Sequence, residues 1–108
     1  MLVFMAKEIC VGLLGSCTVG TGVVRVLKEN CREITQKVGA KVSIKKVLVR
    51  DVNKKREYLE DVELTDKVEE ILQDPAIDIV VELMGGLHPA REYMLQAMEH
   101  GKHVVTAN

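Results

Sequence analysis

Tryptophan is absent, and the aromatic side chains amount to one phenylalanine and two tyrosines. A platform that stacks unpaired bases is therefore not expected. Charge of one sign is also lacking: 15 Lys and Arg stand against 16 Asp and Glu, a net charge of -1. This leaves no electrostatic footprint for nucleic acid or an anionic membrane surface. No window approaches the roughly 18 consecutive apolar residues of a membrane-spanning helix. Residues 1–6 are apolar but have neither the basic start nor the long apolar stretch of a secretory signal. Cysteines are few and odd in number: Cys10, Cys17 and Cys31. They read as reduced thiols of a cytoplasmic protein, not as a disulfide frame. The three histidines, His88, His100 and His103, lack metal-ligand spacing, so no metal is expected. Only two prolines are present, and 47% hydrophobic against 29% charged residues is the balance of a folded domain. At 108 residues the chain has room for one core.

The hydrophobic pattern alternates between two periods. Residues 8–14 are a short apolar run closed by Gly15, the pattern of a buried strand. From Val19 to Val38, apolar residues recur at three and four positions and predict one helix of about 18 residues, with Gly39 as its C-terminal cap. Residues 42–49 read as a second strand, and 62–64 as a short third one. A helix is predicted to start at Thr65-Asp66, where Asp66 and Glu69 have capping-box spacing. Residues 77–84 form the most hydrophobic strand. Pro89 suits the first turn of a further helix, Gly101 caps it, and residues 103–106 form a last strand. Cys10 and Cys31 fall at core positions of this pattern. Strands alternating with helices imply an α/β fold with a doubly wound parallel sheet of about five strands, one fewer than the usual six.

Ligands of such sheets bind beyond the carboxyl ends of the strands. The segments falling there are 15–22, 50–56, 84–88 and 106–108. In the first, a strand, a glycine-rich turn and a helix start form an anion site, because unpaired backbone N–H groups and the helix dipole point at it. The dinucleotide pattern G-x-G-x-x-G would put glycines at 15, 17 and 20. Gly15 and Gly20 are present, but position 17 is Cys17, whose side chain is expected to crowd a pyrophosphate. No Gly-Lys-Ser/Thr follows, which argues against ATP or GTP hydrolysis. In the second segment, Arg50 suits the 2′-phosphate of NADP and Asp51 the ribose 2′-OH of NAD. Taken as neighbours on an extended strand, only one of the two reaches the ribose. Lys54, Lys55 and Arg56 read chiefly as a solvated charge run. Glu82 lies within an apolar strand, and two roles are open for it: holding the neighbouring backbone or facing the cofactor.

Several stretches resemble the N-terminal NAD(P)-binding domain of homoserine dehydrogenase. They are Val11-Gly12-Leu13-Leu14-Gly15, Thr18-Val19-Gly20-Thr21-Gly22-Val23-Val24, Val49-Arg50-Asp51, Val81-Glu82-Leu83-Met84-Gly85-Gly86, Pro89-Ala90-Arg91-Glu92-Tyr93 and Gly101-Lys102-His103-Val104-Val105-Thr106-Ala107-Asn108. The fourth and the last are the most specific. The resemblance implies a Rossmann-like fold, with residues 1–108 as the dinucleotide-binding domain. It also implies an oxidoreductase that interconverts L-homoserine and L-aspartate 4-semialdehyde with NAD or NADP, leading to threonine and methionine. Carried over by position, Thr18 and Val19 contact the pyrophosphate through their backbone. Arg50 lies at the adenosine ribose, and Gly85, Gly86, Thr106 and Asn108 line the nicotinamide end. NADP is the favoured cofactor, because Arg50 matches the family position and basic residues follow it. The family's substrate domain and catalytic lysine are not in this chain, so the 108 residues alone are expected to be inactive. The resemblance implies an amino-acid substrate for the full-length enzyme and leaves room for a homodimer. Two other readings stay open: the cofactor domain of another aldehyde or alcohol dehydrogenase, and a non-catalytic nucleotide-binding module that senses redox state through Cys17.

Overall fold

The computed structural model describes residues 8–15, 18–53, 59, 62–84 and 89–106. Their elements run β1 (Glu8–Leu14), α1 (Thr18–Glu29), α2 (Cys31–Val38), β2 (Lys41–Leu48), β3 (Glu63–Thr65), α3 (Glu69–Leu72), β4 (Ile79–Glu82), α4 (Ala90–Glu99) and β5 (His103–Thr106). The strands form one five-stranded sheet in the order β3-β2-β1-β4-β5, and each neighbouring pair is parallel. From β1 the chain steps outward through β2 to β3, then returns to the other side of β1 for β4 and β5. Right-handed crossovers then put α1 on one face and α3 and α4 on the other. Two core clusters match this division. Val11, Leu13 and Val47 of the sheet pack with Val24 of α1. Leu14 and Val80 pack with Ile71 and Leu72 of α3 and Ala97 of α4.

The predicted single long helix is divided. Asn30 departs from helical geometry at φ -113° and ψ 22°, and its side-chain amide donates to the Val26 carbonyl at 3.1 Å. An asparagine side chain competes for local backbone groups in this way, which is why it sits poorly inside helices. Gly39 still ends the second segment, at φ 79°. The helix expected from Thr65-Asp66 begins only at Glu69. Thr65 belongs instead to β3, where its Oγ1 accepts the Lys67 N–H at 3.0 Å and donates to the Glu70 carboxylate. The hydroxyl thus organises the turn that the Asp66–Glu69 spacing was expected to cap. Cys10 and Cys31 are only half-buried free thiols, not core residues.

Pairing between β1 and β2 slips by one residue: Val11 opposes Ile44, but Gly12 opposes Lys46. Lys45 is the extra residue of a bulge. Successive strand side chains ordinarily point to opposite faces, and a bulge breaks that alternation. Lys45 and Lys46 consequently both reach Asp74 Oδ2, at 2.9 and 3.0 Å. Asp74 Oδ1 accepts the Ala76 N–H at 2.9 Å. Lys102 lies buried beside this cluster and donates to the carbonyls of Asp74 and Ile77. The hydrogen bond from Lys45 holds the Asp74 carboxyl well below the usual carboxylate range, and burial pushes the Lys102 ammonium down. Asp74 and Lys102 precede β4 and β5, so this ionic cluster sits at the amino-terminal edge of the sheet.

Candidate functional site at the carboxyl edge of the sheet

The strand order reverses direction between β1 and β4, and a parallel sheet opens a crevice at that point. Gly15 stands there, directly after β1. Its φ of 107° lies where L side chains rarely go, and its N–H donates to the Leu48 carbonyl at 3.0 Å. A Cβ on Gly15 would lie 3.5 Å from the Leu83 carbonyl group and 3.6 Å from Met84 Cα. The chain leaving β1 therefore turns sharply, close against the chain leaving β4. Three residues later Thr18, Val19 and Gly20 open α1, and the first turn of this helix carries no acidic residue. The N–H groups of that turn and the positive end of the dipole lie toward the crevice, with no carboxylate of the turn itself to neutralise them.

Arg50 and Asp51 lie past the end of β2, in a bend, so strand alternation does not govern them. Both are exposed. Asp51 Oδ1 accepts the Asn53 N–H at 2.9 Å, which turns that carboxylate onto its own loop. Glu82, the last residue of β4, is 1% exposed. Its Oε2 accepts the Met84 N–H at 2.6 Å, and its Oε1 accepts the Thr106 hydroxyl at 2.8 Å. Of the two roles open to Glu82, holding the neighbouring backbone is the one observed. The link to Thr106 escaped sequence reasoning, because it follows from the pairing of Glu82 with Thr106 across β4 and β5. The only signal in the sequence was a glutamate inside an apolar strand.

Of the predicted site residues, Gly15, Thr18, Val19, Gly20, Arg50 and Thr106 are all gathered at this one edge, after β1 and β2 and at the carboxyl end of β5. Cys17, Gly85, Gly86 and Asn108 lie outside the described residues, as do Lys54, Lys55, Arg56 and His88. His100 ends α4 with its Nδ1 at 2.8 Å from the Gln96 carbonyl, and His103 is exposed at the start of β5. Among the described residues no group of His, Cys, Asp or Glu is arranged to hold a metal ion, and no helix is long and apolar enough to cross a membrane.

A family described as the NAD binding domain of homoserine dehydrogenase matches residues 15–108. The chain belongs to that family. The homoserine dehydrogenase of Bacillus subtilis is 46% identical over 103 residues, which cover 94% of this chain and 24% of the relative. A crystal structure of Staphylococcus aureus homoserine dehydrogenase superposes with a TM-score of 0.90 at 42% identity, covering 96% of this chain and 26% of the other. The structure of homoserine dehydrogenase from Thiobacillus denitrificans also gives a TM-score of 0.90, at 48% identity over 95% of this chain and 24% of its own. The chain thus spans about a quarter of the length of the relatives it matches. As a member of this family it is an NAD-binding domain with the expected five-stranded parallel sheet.

Proposed function

We propose that this chain holds NADP in preference to NAD, and that it serves an enzyme interconverting L-homoserine and L-aspartate 4-semialdehyde in threonine and methionine biosynthesis. The observation that carries the binding mode is the meeting of the Gly15 turn, the acid-free start of α1 and the exit of β4 in one crevice. These features fit a dinucleotide. The backbone at 18–20 donates to the pyrophosphate, and the positive φ of Gly15 turns the chain leaving β1 against β4. Arg50 takes the adenosine ribose and its 2′-phosphate, while Gly85, Gly86, Thr106 and Asn108 line the nicotinamide end. Cys17 borders the pyrophosphate and weakens its approach. When bound, the cofactor exchanges a hydride with the substrate. The residues of this chain orient the cofactor, and the amino-acid substrate is held by a domain beyond residues 1–108. A cytoplasmic location and a homodimer of the full-length enzyme belong to the same reading.

Preference for NADP rests on the side chains after β2. Asp51 is the group that would repel a 2′-phosphate, and its Oδ1 is bonded to the Asn53 N–H. Arg50 is exposed beside it and grips phosphate through paired donors. A charge-assisted bond of this kind contributes about 1.5–3 kcal/mol. Titrating NADPH and NADH into the parent and into Arg50→Ala at fixed ionic strength tests this. NADPH affinity should fall roughly ten- to a hundredfold in the variant, with little change for NADH. Equal losses for both, or a parent that prefers NADH, would assign the ribose to Asp51.

A further inference from the structure

We propose that Glu82 is a positioning residue for the nicotinamide end of the site, a role that rests on the dinucleotide reading above: its carboxylate ties the chain leaving β4 to Thr106 of β5. Leu14, Glu82 and Thr106 are register partners across β1, β4 and β5, so they form one row on one face of the sheet at its carboxyl edge. Leu14 and Val80, on the same face, pack against α3 and α4 with apolar side chains. An apolar residue at position 82 would continue that packing. A carboxylate there has to be taken out of water, which is costly unless its oxygens are hydrogen-bonded. Each oxygen takes a different segment: Oε2 accepts the Met84 N–H at 2.6 Å, and Oε1 accepts the Thr106 hydroxyl at 2.8 Å.

The Thr106 hydroxyl belongs to the last described residue of β5, and the Met84 N–H lies two residues past β4. Among the described residues the pairing of β4 with β5 runs from Ile79 and His103 to Glu82 and Thr106. Beyond them the sequence runs Leu83-Met84-Gly85-Gly86 on one side and Ala107-Asn108 on the other. Of these, Gly85, Gly86 and Asn108 belong with Thr106 to the proposed nicotinamide end. The ladder alone sets the spacing of the strands. The carboxylate adds a fixed distance between the Met84 N–H and the Thr106 side chain.

The test uses two ligands that differ at the nicotinamide: NADPH, and 2′-phospho-ADP-ribose, which lacks it. In this chain, Glu82→Ala leaves the Met84 N–H and the Thr106 hydroxyl without the carboxylate and should weaken NADPH binding about tenfold. Thr106→Val removes the bond to Oε1 and should weaken NADPH binding about threefold. Binding of 2′-phospho-ADP-ribose should change less than about twofold in both. Glu82→Gln keeps the shape: its carbonyl accepts from Met84, and its amide donates to a Thr106 hydroxyl turned to accept. This variant should restore NADPH affinity. Equal losses for the two ligands, or unchanged NADPH affinity in Thr106→Val, would overturn the positioning role even if Glu82→Ala does not fold. A parent that binds neither ligand would overturn the dinucleotide reading itself and the role of Glu82 with it.

Discussion

Replacing Asp74 by Asn should make the stability of the fold less dependent on acid. The Asp74 side chain is 9% exposed, and both Lys45 and Lys46 contact its Oδ2. Lys45 is 39% exposed, so solvent screening limits its pairing to about 1 kcal/mol or less. Lys46 is 15% exposed, and its charge-assisted bond contributes about 1.5–3 kcal/mol. An asparagine keeps an acceptor for the Ala76 N–H but cannot match two ammonium groups. Asp74→Asn should therefore destabilise the chain by about 2–4 kcal/mol at pH 7. The hydrogen bond from Lys45 is the largest influence holding the folded carboxyl below its ordinary value of 3.8. A depressed folded pKa means that the stabilisation is complete well above 3.8 and drains away as pH falls below it, by about 1.4 kcal/mol per pH unit. Urea unfolding of parent and variant at pH 7 and pH 3 measures this. The gap should shrink by about 1 kcal/mol at the lower pH. A gap under about 1 kcal/mol at pH 7, or one unchanged at pH 3, would refute the assignment of a strong ionic cluster to this edge.

Gly12→Ala would place a Cβ 2.6 Å from Ile71 Cγ2 and 3.3 Å from Ile77 Cδ1, both in the core. Overpacking of about 1–3 kcal/mol should outweigh the roughly 0.4–1 kcal/mol gained from a stiffer unfolded chain, and an unchanged urea midpoint would show that α3 yields freely. Gly15→Ala meets only ordinary contacts but must adopt φ 107°, a backbone cost of about 1–3 kcal/mol, and it should weaken NADPH binding as the turn relaxes. By contrast Gly22→Ala, inside α1 with nothing within 4 Å of the new Cβ, should stabilise by up to about 1 kcal/mol; thermal melts in which both variants shift in the same direction would contradict this account.

Hydrophobic periodicity by itself determined the alternation of strands and helices, the α/β class and the carboxyl-edge location of Gly15, Thr18, Arg50 and Thr106. Those features depend on residues within one or two turns of each other, and a linear pattern records them. Other features came from choices between local bonds of similar energy. Asn30 bonds back to Val26 and divides the long helix, and Thr65 joins β3 and orders the next turn in place of Asp66. Periodicity cannot rank such alternatives, because it counts which face is apolar and not which donor finds which acceptor. The remaining features required the assembled sheet. The slip at Val11 and Gly12 turns Lys45 and Lys46 toward one carboxylate, and the pairing of β4 with β5 sets Thr106 beside Glu82 across 24 residues of chain. A strand pattern states that a side chain points to one face. Register across neighbouring strands decides what it meets there, and register is settled by packing of the whole sheet against its helices.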